Sequence, residues 1–149
     1  KIYEIPFGID PVLFNAKEKQ LSADKFVVLS TRNLEPVYNI PHLIKAVAKV
    51  KKDIPNIQLN VIGMGTLEAE LKRLTQELGI AENVLFLGKV PQKEIVREMN
   101  HAHVFVSVSL SDGNNISLNE AMACETFSIA TDIPANRQWI RNGENGFFF

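Results

Sequence analysis

Residues 104–124 read VFVSVSLSDGNNISLNEAMAC: an apolar run of strand length, a polar loop, then a helical stretch. The strand is drawn at Val104–Val108 and the helix from about Asn115 to Cys124. Asp112 stands in the loop between them, and seven residues separate it from Glu120. Glu120 falls about one turn into the helix, on the face it shares with Ile116 and Ser117. The backbone N–H groups of Asn115, Ile116 and Ser117 open that helix without partners inside it and would point toward the same crevice. One segment therefore offers carboxylate acceptors for hydroxyl groups beside donors for a diphosphate. The plainer alternative makes Asp112 or Asn114 a helix cap and Glu120 a solvated charge. Leu118, Ala121 and Met122 around Glu120 weigh against idle surface, since polar groups in clefts usually have partners.

Working outward, the same alternation repeats along the chain, as expected for βαβ units and a parallel sheet. Strands are expected at Ile2–Ile5, Phe26–Ser30, Gln58–Ile62, Val84–Leu87, Phe127–Ala130 and Gly146–Phe149. Several are apolar throughout, the pattern of strands covered on both faces. From Asn39, the residues Ile40, Leu43, Ala46, Val47 and Val50 recur at helical spacing, with Pro41 in the first turn. Thr66 can cap a second helix with an inward stripe of Leu67, Leu71, Leu74 and Leu78, and Gly79 can end it. Pro91 opens a third helix that turns Ile95, Met99 and Ala102 inward. A fifth is expected from about Ala135 to Arg141, before the Asn142-Gly143 turn. The fold class is therefore α/β, a Rossmann-like three-layer αβα domain with strand order 3-2-1-4-5-6. Ligands of such sheets bind beyond the carboxyl ends of the strands, at the switch in strand order.

Composition narrows the functional classes. The 149 residues make one domain, with 46% hydrophobic and 22% charged residues. A net charge of -1 argues against a nucleic-acid module. No apolar run is long enough to span a membrane. The single cysteine, Cys124, cannot form an internal disulfide, which points to a reducing, cytoplasmic setting. Both ends look cut, so a piece of a larger protein is expected.

Two further segments could carry chemistry. Gly63-Met64-Gly65-Thr66 follows a strand and opens a helix, where glycines admit close backbone approach and the helix start favours an anion. It is not a P-loop, because no Gly-Lys-Ser/Thr follows, and Glu68 stands at the third glycine position of a dinucleotide fingerprint. A simple tight turn is the alternative. Arg32 follows the Phe26–Ser30 strand, with Glu35 and Tyr38 nearby, and can clamp a diphosphate through two parallel hydrogen bonds. A surface salt bridge is its alternative.

Taken in order, these segments resemble the second domain of the retaining glycosyltransferase family four, which has the two-domain GT-B architecture. Pro6-Phe7-Gly8-Ile9-Asp10 with Phe14 is similar to that domain's opening. An arginine after the first domain strand, Gly-x-Gly after the second, Leu87-Gly88-Lys89-Val90, the two acids leading into Glu120-Ala121-Met122-Ala123, and Asn142-Gly143-Glu144-Asn145-Gly146 follow. The resemblance implies that residues 1–149 are the nucleotide-sugar-binding C-terminal domain, with the N-terminal acceptor domain and the tail absent. It implies Glu120 on the donor's ribose hydroxyls and Asp112 near the transferred sugar. Arg32 and the helix start at Asn115, Ile116 and Ser117 would stabilise the departing diphosphate. Backbone near Lys89 and Val90 would meet the base, and Gly63 and Gly65 would line the cleft. The donor would be a UDP-, GDP- or ADP-sugar used without a metal ion or other cofactor. The acceptor would be a glycan, a lipid-linked sugar or a small molecule, and lipid-carried acceptors would bring the whole protein to the inner membrane face.

The chain also departs from that pattern. Asp112 replaces the usual glutamate, Tyr38 the usual second basic residue, and Asn114-Asn115 an aromatic and a glycine. Glu125 replaces a frequent glycine and Gln138 a frequent glutamate. Two other classes stay open: a GT-B sugar-nucleotide epimerase, and a non-catalytic nucleotide-binding or scaffolding domain. His101 and His103 lack further ligands at metal-binding spacing, and no metal site is expected. His42 reads as surface, Cys124 as a buried inert thiol, Trp139 as core or crevice edge, and Phe147–Phe149 as a strand.

Overall fold

The computed structural model describes residues 7–149. The strand expected at Ile2–Ile5, and Pro6, lie outside the described residues. Six strands follow: β1 (Phe26–Ser30), β2 (Ile57–Ile62), β3 (Val84–Gly88), β4 (Val104–Ser107), β5 (Phe127–Ala130) and β6 (Phe147–Phe148). They form one sheet, parallel as the βαβ pattern implied, in the expected order β3-β2-β1-β4-β5-β6. Helices α1 (Ile40–Val50), α2 (Glu68–Glu77), α3 (Gln92–His101), α4 (Ile116–Ala123) and α5 (Pro134–Arg137) connect them.

Strand residues alternate between two cores, because successive side chains leave a strand on opposite faces. Val28, Leu59, Val61, Val104 and Val106 join Ile44 and Val47 of α1 and Leu71 of α2 on one face. Val27, Leu29 and Phe105 join Met99 of α3 and Leu118 and Ala121 of α4 on the other. The chain leading into β1 lies against this second core. Phe14 is buried in it. Lys19 Nζ donates to Thr126 Oγ1 at 2.9 Å and to the Cys124 carbonyl at 3.2 Å, and burial lowers the pKa of that ammonium. Cys124 is buried and its thiol is pushed up to about 11, chiefly by desolvation, so it is no nucleophile.

The helix faces differ from the periodic expectation in particulars. Ile40, Leu43, Ile44 and Val47 are the buried residues of α1, whereas Ala46 and Val50 are exposed. Both border an apolar groove of about 590 Å³ beside β4 and β5, since α1 covers only part of that sheet face. Leu71 is fully buried in α2, Leu67 and Leu74 pack partly, and Leu78 is 38% exposed. Thr66 does not cap α2: its amide and hydroxyl both bond the Glu35 carboxylate, at 2.9 and 2.7 Å, and Leu67 takes the cap position without a side-chain bond. Helix α5 ends at Arg137 rather than Arg141. Beyond it, the Asn145 side chain accepts from the Arg141 amide and donates to the Trp139 carbonyl, contacts that hold residues 139–145 in a turn instead of further helix.

Past the C-terminal end of α4, Glu125 holds φ at +50°, the left-handed conformation that glycine adopts without a Cβ penalty. Glu125→Gly is expected to stabilise the chain by about 0.5–1 kcal/mol, the left-handed cost being partly offset by glycine's larger loss of backbone freedom. A urea midpoint unchanged or lowered by the substitution would show that the Glu125 side chain contributes more than its backbone conformation costs.

Candidate functional site

The strand order reverses beside β1: the chain steps from β1 outward to β2 and β3, then returns to β4 on the other side. Loops leaving the carboxyl ends of β1 and β4 must diverge there and leave a crevice. A cleft of about 360 Å³ occupies this place. Thr31 and Asn33 line it from the loop after β1, Gly63 and Met64 from the loop after β2, and Lys89 and Val90 from the loop after β3. Ser117 and Glu120 face it from α4, three residues apart and so on one helical face. Ile62 and Ile95 complete the wall. Glu120 is half-buried, and desolvation raises its carboxyl pKa against the opposing pull of the Arg32 charge. Thr31 carries a buried hydroxyl without a hydrogen-bond partner.

Arg32, Asp112 and Asn115 meet in a separate cluster. The Arg32 guanidinium pairs with the Asp112 carboxylate, donates from Nη1 to Asn115 Oδ1 at 3.1 Å, and lies over the Tyr38 ring at 4.6 Å from its centroid. Its side chain is 10% exposed, so this is a nearly buried ion pair rather than a surface bridge. Asn115 is fully buried and is the side-chain cap of α4, accepting from the Leu118 amide at 3.2 Å. Its amide nitrogen donates to Ser107 Oγ at 3.0 Å and to Asn136 Oδ1 at 2.9 Å. The cap is therefore neither Asp112 nor Asn114. Ile116 is exposed outside the cleft lining, and its amide reaches the Asn114 carbonyl at 3.0 Å.

Gly63 and Gly65 act first on the protein itself. A Cβ at Gly63 would stand 2.4 Å from the Arg32 carbonyl oxygen, and one at Gly65 would stand 2.4 Å from that of Leu34. The two glycines thus let the loops after β1 and β2 lie in contact, joined by the Leu34 amide on the Met64 carbonyl at 3.0 Å. Gly63 also lines the cleft, whereas Gly65 does not.

Sequence reasoning passed over Thr31 and Asn33, although the strand-end rule that selected Arg32 covers its two neighbours equally. Asn136 had no such signal, because its place beside Asn115 arises from a contact 21 residues away. His101 and His103 are occupied: His103 Nδ1 accepts from the Val27 amide at 3.1 Å, and His101 Nδ1 lies 2.8 Å from the Arg97 carbonyl. Among the described residues no group of three or more His, Cys, Asp or Glu is placed to hold a metal ion. No helix among them is long and apolar enough to cross a membrane.

A doubly wound parallel sheet with a cleft at its switch point defines a Rossmann-like domain of the kind found as one half of a GT-B fold. Residues 13–149 match the family of glycosyl transferases group 1, and the chain belongs to that family. EpsD of Bacillus subtilis, assigned as a glycosyltransferase, is 35% identical over 83% of this chain and 32% of its own length. The phosphatidyl-myo-inositol mannosyltransferase of Mycobacterium tuberculosis is 32% identical over 96% of this chain and 38% of its own length. The chain thus spans about a third of such relatives. Among solved structures, Anabaena HepE in complex with UDP-glucose superposes with a TM-score of 0.85 at 23% identity, covering 95% of this chain and 42% of that one. The C-terminal domain of the Francisella tularensis group 1 protein LpcC gives 0.80 at 22% identity, over 95% of this chain and 80% of that one. At these identities the structures establish the shared fold.

Proposed function

We propose that the chain is the nucleotide-sugar-binding C-terminal domain of a retaining glycosyltransferase, and that its donor lies in the switch-point cleft. The observation that carries this is Glu120, a half-buried carboxylate whose charged form is penalised by desolvation, held on one wall of that cleft. A fold does not keep a group there for stability, since burial of the charge opposes folding at neutral pH. Family membership and the UDP-glucose complex of HepE support the same placement.

In this mechanism Glu120 accepts the ribose hydroxyls and the backbone near Lys89 and Val90 meets the base. Charge develops on the departing diphosphate, where Arg32 and the start of α4 stabilise it without a metal ion. Asp112 lies near the transferred sugar. The donor is a UDP-, GDP- or ADP-sugar. The acceptor, a glycan or lipid-linked sugar at the cytoplasmic membrane face, is read by an N-terminal domain of the whole protein. The 149-residue chain by itself binds nucleotide and turns nothing over.

Calorimetric titration with UDP, GDP and ADP tests the proposal. One of the three is expected to bind, and Glu120→Ala is expected to weaken it about ten- to a hundredfold, the equivalent of one charged hydrogen bond. The affinity should fall on acidification, starting above the ordinary carboxylate range, because the accepting form of Glu120 is lost as pH drops through its raised pKa. Glu120→Gln should meanwhile raise stability at neutral pH, where the buried charge opposes folding. Failure of all three nucleotides at millimolar concentration, or an affinity indifferent to Glu120→Ala, would sink the donor site. The resident Arg32–Asp112 pair favours a second reading, a nucleotide-binding domain without turnover. Transfer or donor cleavage by the whole protein would exclude it, and release of free sugar instead of transfer product would mark an epimerase.

A further inference from the structure

The Arg32 guanidinium has two kinds of neighbour. The Tyr38 ring covers its face at 4.6 Å and Asn115 Oδ1 holds one edge at 3.1 Å; both are uncharged and both are anchored. Tyr38 packs against the first core from the short 3-10 turn Pro36–Tyr38, and Asn115 is fixed by its own hydrogen bonds to Ser107, Asn136 and Leu118. Asp112 is different. It sits in the loop between β4 and α4 with exposed Ser111 and Gly113 on either side, and its carboxylate makes no other side-chain hydrogen bond among the described residues. Arg32 Nε is buried and carries no hydrogen bond at all.

A nearly buried guanidinium must keep a counter-ion, because an unpaired charge there would be strongly destabilising. It need not keep the same one. Neither the ring stack nor the Asn115 bond involves Asp112, so both can hold the guanidinium while its anionic partner changes. A diphosphate carries more charge than one carboxylate and can take the edge that Asp112 leaves, which includes the unbonded Nε.

We propose that Tyr38 is the positioning residue of the Arg32 clamp, and that Asp112 is its resident counter-ion, exchanged for the donor's diphosphate. This rests on the donor site described above and assigns a role to the aromatic that stands where a second basic residue was expected. Tyr38 supplies no charge; it holds the one cation in the orientation that the diphosphate needs. Asp112 is released toward the transferred sugar only when the diphosphate takes its place, which couples donor binding to the placement of that carboxylate.

The test is titration of the 149-residue chain with the nucleoside diphosphate that binds and with the corresponding nucleoside, alongside thermal unfolding of each variant. Asp112→Asn, which keeps the shape and removes the competing charge, is expected to bind the diphosphate about three- to tenfold more tightly and the nucleoside unchanged. Tyr38→Leu is expected to weaken the diphosphate about fivefold and spare the nucleoside, while Tyr38→Phe, which keeps the stack, matches the parent chain. Weaker or equal diphosphate binding by Asp112→Asn would overturn the exchange. Equal losses for diphosphate and nucleoside in Tyr38→Leu, or failure of Tyr38→Phe to rescue, would overturn the positioning role. A parent chain that binds neither ligand would bring down the donor site and this inference together, whereas normal parent binding with the overturning variant pattern removes this inference alone.

Discussion

Gly63→Ala is expected to destabilise the chain by about 3–5 kcal/mol, combining backbone strain of about 1–3 kcal/mol with overpacking of similar size. Gly63 holds φ at +144°, where side chains are rarely tolerated, and the added methyl would stand 2.4 Å from the Arg32 carbonyl oxygen and 2.9 Å from its carbon. Both obstacles are backbone, so no rotamer change relieves them. The loops after β1 and β2 would have to part, moving Arg32 and Asn33 and opening the wall of the cleft. Gly79→Ala is the internal control. Its φ of +65° is also left-handed, but nothing lies within 4 Å of the added Cβ, so about 1 kcal/mol is expected. Guanidinium unfolding of both variants separates strain from close approach. Equal losses at the two positions would show that loop contact at Gly63 contributes nothing. A loss of the predicted size is a large part of the stability of an ordinary domain, about 5–15 kcal/mol.

Asn115→Leu should be comparably severe, at about 4 kcal/mol. The side chain is fully buried and joins four partners: Arg32, the Leu118 amide, Ser107 and Asn136. Leucine is similar in size and can donate to or accept from none of them. The helix cap alone is worth about 1 kcal/mol, and each buried donor or acceptor left unpaired adds about 1–3 kcal/mol. Asn115→Asp separates these contributions. It retains acceptors for Arg32 and Leu118 but loses the donors to Ser107 and Asn136, so its loss should fall between leucine and the parent. The parent nucleotide affinity should fall with Asn115→Leu as well, because Arg32 loses a neutral anchor. A change in unfolding free energy below about 1 kcal/mol for Asn115→Leu would mean that the network is not what holds α4 to the sheet.

The elements were legible because their signals are local. Strand runs such as Phe26–Ser30 and Phe127–Ala130 appear with the expected bounds, and the parallel pairing of the strands follows from how βαβ units pack. Ser117 and Glu120 were predictable on one helical face, since a three-residue interval returns a side chain to nearly the same direction. Gly63 was predictable near them, as strand-end residues of a parallel sheet meet at one edge, whereas Lys89 and Val90 entered through the family resemblance. Ala46 and Val50 went astray for the complementary reason: helical spacing marks an apolar stripe but not how much of it a neighbour covers.

By itself, then, the sequence determined a doubly wound α/β domain, the strand end at which its cleft opens, and the carboxylate one turn into α4 that faces into it. Those are consequences of periodicity, apolar run length and glycine placement, each readable within a few residues. Only the tertiary structure decided the state of Arg32. It pairs with a carboxylate 80 residues away, stacks on Tyr38 and shares Asn115 with Ser107 and Asn136. No local rule selects among the partners that two converging loops can bring to a guanidinium. Burial makes the selection, because a charge removed from water must be held by whatever acceptors the packed loops leave within reach.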